Sequence, residues 1–207
     1  MDNVTVVDHP LVQRSLARLR DKDTDRGAFR RALADVAMFL GYEATRDLAT
    51  RPVTVKTPLA PCKARELKRD ALLAPILRAG LGMLDPVLQI LPEAQVGFIG
   101  LKRDEATLNP VSYYSNVPAD LRMHDVILMD PMLATGGSAI AALDLLRERK
   151  AKRLRMINLL ASPEGIRNVR KHYPDLPIFT AAIDKKLNEI GYIVPGLGDA
   201  GDRQFNG

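Results

Sequence analysis

Residues Asp125 to Ala139 read Asp-Val-Ile-Leu-Met-Asp-Pro-Met-Leu-Ala-Thr-Gly-Gly-Ser-Ala. An apolar strand ends in an acid, Asp130, a short loop closes on Thr135-Gly136-Gly137-Ser138, and the pattern predicts a helix after it. That order directs several main-chain N–H groups and two hydroxyls at one point beneath the positive end of a helix dipole. Such a point favours a phosphate dianion. Asp130 stands where the rest of a phosphorylated sugar would lie, so the stretch reads as a ribose-5-phosphate site. The bland alternative is a strand-to-helix turn with Ser138 as N-cap. A cap needs one such residue, and here four stand in a row. The lysine of a nucleoside-triphosphate P-loop is absent, which suits a terminal monophosphate better than a polyphosphate cradle.

Three further segments carry chemistry. Arg78, in Ile76-Leu-Arg-Ala-Gly80, follows a buried apolar run directly. It either snorkels, pairs with an acid, or meets a diphosphate oxygen that Gly80 and Gly82 let approach the backbone. Lys102-Arg-Asp-Glu105 is by itself a solvated charged loop; on closing, its Arg103 could neutralise a leaving diphosphate. Gly196-Leu-Gly-Asp-Ala-Gly201 matches the dinucleotide fingerprint by letter, but six residues follow, too few for its helix, returning strand and ribose-binding acid. What remains is a glycine-rich loop suited to present main-chain donors and acceptors to a flat ligand, with Asp199 placed to hold a metal-bound water or a ribose hydroxyl. Its alternative is a structural turn.

Other chemistries find little support. His9, His124 and His172 are isolated, and no serine sits in a nucleophile-elbow context. One cysteine, Cys62, excludes an internal disulfide and a multi-cysteine metal site. The net charge of +5 is spread among acids, as in Arg18-Leu-Arg-Asp-Lys-Asp23, without basic runs interleaved with aromatics. A solvated basic surface is therefore expected, not a nucleic-acid face. No apolar run approaches the ~20 residues that span a bilayer, and the N-terminus lacks a signal-peptide pattern. A cytoplasmic location is expected.

The elements that position these residues follow from apolar periodicity. Helical spacing covers Leu11 to Leu19 and Phe29 to Leu40, and residues 51–58 read as an edge strand or hairpin arm bounded by prolines. From residue 70 onward, strands at 71–77, 95–101, 125–130, 154–160 and 178–183 alternate with helices at 81–91, 138–150 and 164–172. Such alternation predicts right-handed βαβ units, an α/β fold with a parallel sheet, and ligands beyond the C-terminal strand ends. Arg78, Lys102–Asp104 and Asp130–Ser138 all fall at such ends. We expect one domain over 1–207: residues 1–69 as N-terminal helices and edge strands packing on the core, and 70–207 as the core with its tail. Residues 102–118 form a small hood, a flexible excursion or hairpin.

With these residues in place the chain resembles the uracil phosphoribosyltransferase family of type I phosphoribosyltransferases. His9-Pro-Leu-Val12, Pro75-Ile-Leu-Arg-Ala-Gly-Leu-Gly-Met83, Asp130-Pro-Met-Leu-Ala-Thr-Gly-Gly-Ser138 and Gly191-Tyr-Ile-Val-Pro-Gly-Leu-Gly-Asp-Ala-Gly-Asp-Arg203 carry the match. The resemblance implies a Mg2+-dependent transfer of ribose 5-phosphate from phosphoribosyl diphosphate (PRPP) to N1 of uracil, giving UMP and diphosphate. It implies that Arg78 and Arg103 contact PRPP, and that Asp130, Pro131, Met132, Leu133, Ala134, Thr135, Gly136, Gly137 and Ser138 hold its ribose hydroxyls and 5-phosphate. Ile193, Gly198, Asp199 and Ala200 would read uracil, with Asp199 also facing PRPP. The catalytic set is then Asp130, Arg103 and Asp199. Many superfamily members have two adjacent acids where Asp130-Pro131 stands, so Mg2+ is expected to be held mainly by PRPP oxygens and water, with Asp199 a further candidate and no firm protein ligand assigned. The terminus Arg203-Gln-Phe-Asn-Gly207 departs from the usual Phe-Gly-Thr ending. A homodimer or higher homo-oligomer, and GTP as an effector, are further expectations from the family. The rival readings are an RNA-binding regulator on the same fold and a transferase for another base.

Overall fold

The structure, a computed structural model, describes residues 3–103 and 110–205, without the side chains of Arg103 and Pro110. Its centre is β4 (Asp70–Leu77), where Ala71 to Ile76 are all buried. A continuous apolar run is what a strand covered on both faces requires. Beside it lie β8 (His124–Met129) and then β10 (Arg153–Ala161), in parallel register with Leu72 opposite Val126 and Met156 opposite Leu128. Outward from β10 run β11 (Ile178–Ile183) and a short β1 (Val4–Val6), both parallel. On the other side β6 (Ile99–Arg103) pairs parallel with β4 and antiparallel with β7 (Pro110–Ser115). The expected strand over 95–101 is divided: β5 (Gln95–Val96) and β6 both pair with β4, and the chain breaks between them at Gly97-Phe98.

Helices cover both faces. α1 (Pro10–Arg20) starts with Pro10 in its first turn and the His9 ring accepting from the Leu11 amide at 3.2 Å. Asp25 caps α2 (Arg26–Ala44) by accepting from Ala28 N at 2.9 Å. Phe29, Leu33, Val36 and Leu40, at helical spacing, are fully buried. With α3 (Leu81–Ile90) these helices form one hydrophobic layer, which also takes in Ile193, Leu197 and Ala200 from the tail. α4 (Gly137–Glu148) and α5 (Pro163–His172) form the other layer through Leu143, Leu146, Ile166 and Val169. Residues 50–67 make a full hairpin, β2 (Thr50–Lys56) and β3 (Pro61–Leu67), with Thr50 opposite Leu67. Only its first arm was expected. No helix among the described residues is long and apolar enough to cross a membrane.

Candidate active site

Three segments meet beyond the C-terminal ends of the parallel strands: the loop after β8, the turn after β4 at Ala79, and the tail. Asp130 follows β8, its amide donating to the Ile157 carbonyl at 3.3 Å. The next residues pair with β10 as β9 (Met132–Leu133), with Met132 opposite Leu160. Strand alternation then sorts the side chains: Asp130, Met132 and Ala134 line a cleft, whereas Pro131 and Leu133 are buried beneath it. Of the nine loop residues expected to hold PRPP, those two have only main-chain groups to offer.

The loop enters α4 through Gly136, whose φ of 85° lies in the left-handed region that glycine adopts without strain. Gly136, not Ser138, is the N-cap. Ser138 sits in the first turn with its exposed side chain lining the cleft. The first intrahelical bond runs from Ile140 N to the Gly136 carbonyl at 2.9 Å. The amides of Gly137, Ser138 and Ala139 thus precede the helical ladder and face outward with the positive end of the dipole. Thr135 Oγ1 lies 3.5 Å from Gly137 N, a long contact that leaves the hydroxyl available. From below, α5 presses against the loop at Gly165, where an added Cβ would lie 2.4 Å from the Ala134 carbonyl oxygen.

The tail supplies the opposite wall. β12 (Lys186–Leu187) and β13 (Ile193–Val194) pair antiparallel, and the chain then crosses the cleft as Gly196–Asp199. The six residues after Gly201 are too few for the helix of a dinucleotide site, yet Ala200–Gln204 forms a single short turn, α6. Asp199 makes it possible: its Oδ1 accepts from Asp202 N at 2.9 Å as N-cap. One oxygen of Asp199 is thereby engaged and the other is left for the cleft. Ile193, Gly198, Asp199 and Ala200 all line this cleft of about 350 Å3, opposite Asp130 and Ser138. Its volume suits a small ligand. A larger opening of about 470 Å3, lined by Arg147, Arg155 and His172 among others, lies at the N-terminal ends of β10 and β11 and contains none of these segments.

Arg78 is not among the residues that line the cleft. The Leu77–Arg78 peptide is cis, and the exposed Arg78 guanidinium lies 3.7 Å from the Asp202 carboxylate; its neighbour Ala79 lines the cleft. The Arg103 side chain and residues Asp104 and Glu105 lie outside the described residues.

Several residues that hold the tail were not legible in the sequence. Arg20, among the charges read as solvated surface, donates to both Asp184 oxygens at 2.6 and 2.8 Å and to the Gly196 carbonyl at 2.9 Å. Gly196 N donates back to Asp184 at 2.8 Å. Arg203 binds the carbonyls of Leu197 (2.9 Å), Asp21 (2.6 Å) and Leu19, over the Phe29 ring. Gln204 Nε2 donates to the Ala79 carbonyl at 3.0 Å and the Ala200 carbonyl at 2.7 Å, joining the tail to the loop after β4.

Charge in the cleft is unequal. Burial at the strand tip pushes the Asp130 carboxyl up to about 7, opposed by the Met132 amide and assisted by the negative field of Asp199. Burial also acts on Asp184, but the paired Arg20 and the Gly196 amide outweigh it and hold that carboxyl below the usual range. Two carboxylates that repel across one cleft form a site a divalent cation can relieve. Among the described residues no group of three His, Cys, Asp or Glu side chains gathers to hold a metal alone. The donor set fits a hard cation that brings most of its ligands with it.

The family model for uracil phosphoribosyltransferase matches residues 6–207. The uracil phosphoribosyltransferase of Rhizobium rhizogenes (strain K84 / ATCC BAA-868) is 53% identical over 206 residues, 99% of each chain. Among solved structures, the AQ2163 protein from Aquifex aeolicus superposes with a TM-score of 0.93 at 36% identity, covering 98% of each chain. The purine phosphoribosyltransferase from Pyrococcus horikoshii Ot3 shares the fold, with a TM-score of 0.53 at 17% identity over 74% of this chain and 84% of that one. With a small-residue loop after β8 and a glycine-rich tail across from it, the family match over residues 6–207 and the 53% identity over 99% of each chain place this chain in the uracil phosphoribosyltransferase family.

Proposed function

We propose that this cleft transfers the ribose 5-phosphate of PRPP to N1 of uracil, releasing diphosphate and forming UMP, a pyrimidine-salvage reaction. The observation that carries the reading is that Asp130 and Ser138 of the cradle and Ile193, Gly198, Asp199 and Ala200 of the tail line one cleft. The 5-phosphate takes the Gly137 and Ser138 amides with the Thr135 and Ser138 hydroxyls, and Asp130 accepts from the ribose hydroxyls. The anomeric carbon then faces the tail. Uracil presents acceptor, donor and acceptor along its edge, which the Ile193 and Gly198–Ala200 main chain can match. Cytosine reverses part of that order and would leave buried groups unpaired, at ~1–3 kcal/mol each.

Displacement at the anomeric carbon passes through an oxocarbenium-like transition state. It calls for an aligned nucleophile, a neutralised leaving group and exclusion of water, with no protein nucleophile. The clamped tail orients the base, and Arg78, together with Arg103, is assigned to the diphosphate. Mg2+, when bound, neutralises diphosphate oxygens; Asp130 and Asp199 are the residues that would hold it, directly or through water. We further infer that residues 1–207 act as one phosphoribosyltransferase domain, with 1–69 added to the 70–207 core. Its setting is the cytoplasm as a homodimer or higher homo-oligomer, with GTP the candidate effector. Incubation with PRPP, Mg2+ and uracil, followed by chromatography for UMP and diphosphate, tests the assignment. UMP from the wild type and almost none from Asp130→Asn is the expected result; equal turnover by both overturns the role of Asp130.

A further inference from the structure

Every main-chain carbonyl whose hydrogen bond is resolved along the cradle is engaged from behind, by β10, α5 or the first turn of α4. The Pro131 carbonyl accepts from Leu159 N and Leu160 N, both at 3.0 Å, and the Leu133 carbonyl accepts from Ser162 N at 2.9 Å. Three more are held by side chains. Asn158 Nδ2 donates to the Asp130 carbonyl at 2.6 Å, Ser162 Oγ to the Ala134 carbonyl at 2.6 Å, and Asn168 Nδ2 to the Thr135 carbonyl at 2.9 Å. With the carbonyls tied backward, the N–H groups sharing the Leu133, Ala134 and Thr135 peptides face the opposite way. The Met132 amide reaches the Asp130 carboxylate at 3.4 Å, and the Asp130–Pro131 peptide, which has no N–H, sets only the direction of the strand tip. A set of N–H groups fixed in this way binds an anion without reorganising.

Resting on the reading that the cradle holds the PRPP phosphate, we infer that Asn158, Ser162 and Asn168 are positioning residues that fix the cradle in its anion-binding form. Asn158 is the most telling of the three. It is fully buried, its Nδ2 faces the Asp130 carbonyl, and its Oδ1 has no partner among the described residues. A half-paired buried amide gains little stability, since the cost of the unpaired oxygen offsets the bond made. What Asn158 supplies is orientation of the Asp130–Pro131 peptide, and hence of the strand tip that carries the Asp130 carboxylate. Asn168, half-buried on α5, does the same at the other end of the loop. The roles concern PRPP alone: none of the three lines the cleft.

The test is Asn158→Val, Asn168→Ala and the double variant, each measured for kcat, KM for PRPP, KM for uracil and thermal midpoint, with UMP binding followed by calorimetry. KM for PRPP and the UMP dissociation constant should each rise roughly tenfold, the scale on which supporting contacts act, with KM for uracil within about twofold. Asn168→Ala changes a half-buried side chain and is expected to stay folded even where the core substitution does not. Unchanged KM for PRPP and unchanged UMP affinity in both single variants overturns the inference. So does an equal rise in both KM values that tracks a fall in thermal midpoint, because that marks a purely structural role. A wild-type protein that makes no UMP, but whose UMP affinity still falls in the variants, refutes the proposed reaction and leaves the positioning role standing.

Discussion

Replacing Asp130 with Asn should make the protein more stable at alkaline pH while abolishing its proposed turnover. In the folded protein burial pushes this carboxyl up to about 7, whereas in the unfolded chain it titrates in the ordinary carboxylate range near 4. The folded state therefore binds more protons than the unfolded state between those values, and stability falls as pH rises through that window. The penalty is absent below pH ~4, grows to pH ~7 and is complete above it. A displacement of this size costs on the order of 4 kcal/mol once the group is ionised. The strand tip keeps some solvent access, so screening reduces this to roughly 2 kcal/mol. Asparagine has the same shape and no charge, and it escapes the penalty. For a chain of this length ~2 kcal/mol is about 4–8 °C in thermal midpoint. Thermal melts of wild type and Asp130→Asn at pH 5 and pH 8, without substrate or Mg2+, should show a variant advantage of that size at pH 8 and a smaller one at pH 5. Coincident melts at both pH values, or a less stable variant at pH 8, would refute the argument that the carboxylate is held against its own electrostatic preference.

Asp184→Ala removes a buried carboxylate that pairs with the half-buried Arg20 and accepts from Gly196 N, and should cost about 3 kcal/mol, or ~6–12 °C. Because the fold holds Asp184 below the usual carboxylate range, its contribution is present at neutral pH and lost as pH falls through that range. The gap between wild-type and variant melts should accordingly narrow in acid. Gly165→Ala sets a Cβ 2.4 Å from the Ala134 carbonyl oxygen. The loop must shift, so steady-state kinetics should show a raised KM for PRPP, with a stability loss of ~1–3 kcal/mol in melts. Gln204→Leu removes donors to the Ala79 and Ala200 carbonyls together with an unpartnered Oε1. Stability should change by less than about 1 kcal/mol, while KM for uracil and KM for PRPP both rise; a change in one alone contradicts the link between tail and loop.

The site was legible where its chemistry is local. Strand, acid, small-residue loop and helix follow one another between 125 and 148, and a buried parallel strand announces itself as an unbroken apolar run such as Ala71 to Ile76. What the sequence concealed depends on distant partners or very short elements. Arg20 and Gly196 are 176 residues apart, and nothing near Arg20 separates it from the other charges of α1. β1 has three residues and exists because β11 offers an edge to pair with. The second arm of the β2–β3 hairpin, Pro-Cys-Lys-Ala-Arg-Glu-Leu, is mostly exposed and carries no apolar alternation to reveal it. α6 hid behind glycines, since its formation turns on one Asp199 carboxylate capping a turn. Asn158 looked like one polar residue in an apolar strand, and its donor acquires meaning only when the Asp130 carbonyl is placed beside it.

In the proposed reaction the cradle holds a phosphoribosyl donor while the tail chooses the base. The most direct measurement offers the wild-type protein PRPP and Mg2+ with an equimolar mixture of labelled uracil, cytosine, hypoxanthine and orotate, and identifies the nucleotide formed. UMP is the expected dominant product, with discrimination against cytosine of at least about fivefold from a single unpaired buried group. A nucleotide built on another base in preference to uracil would contradict it.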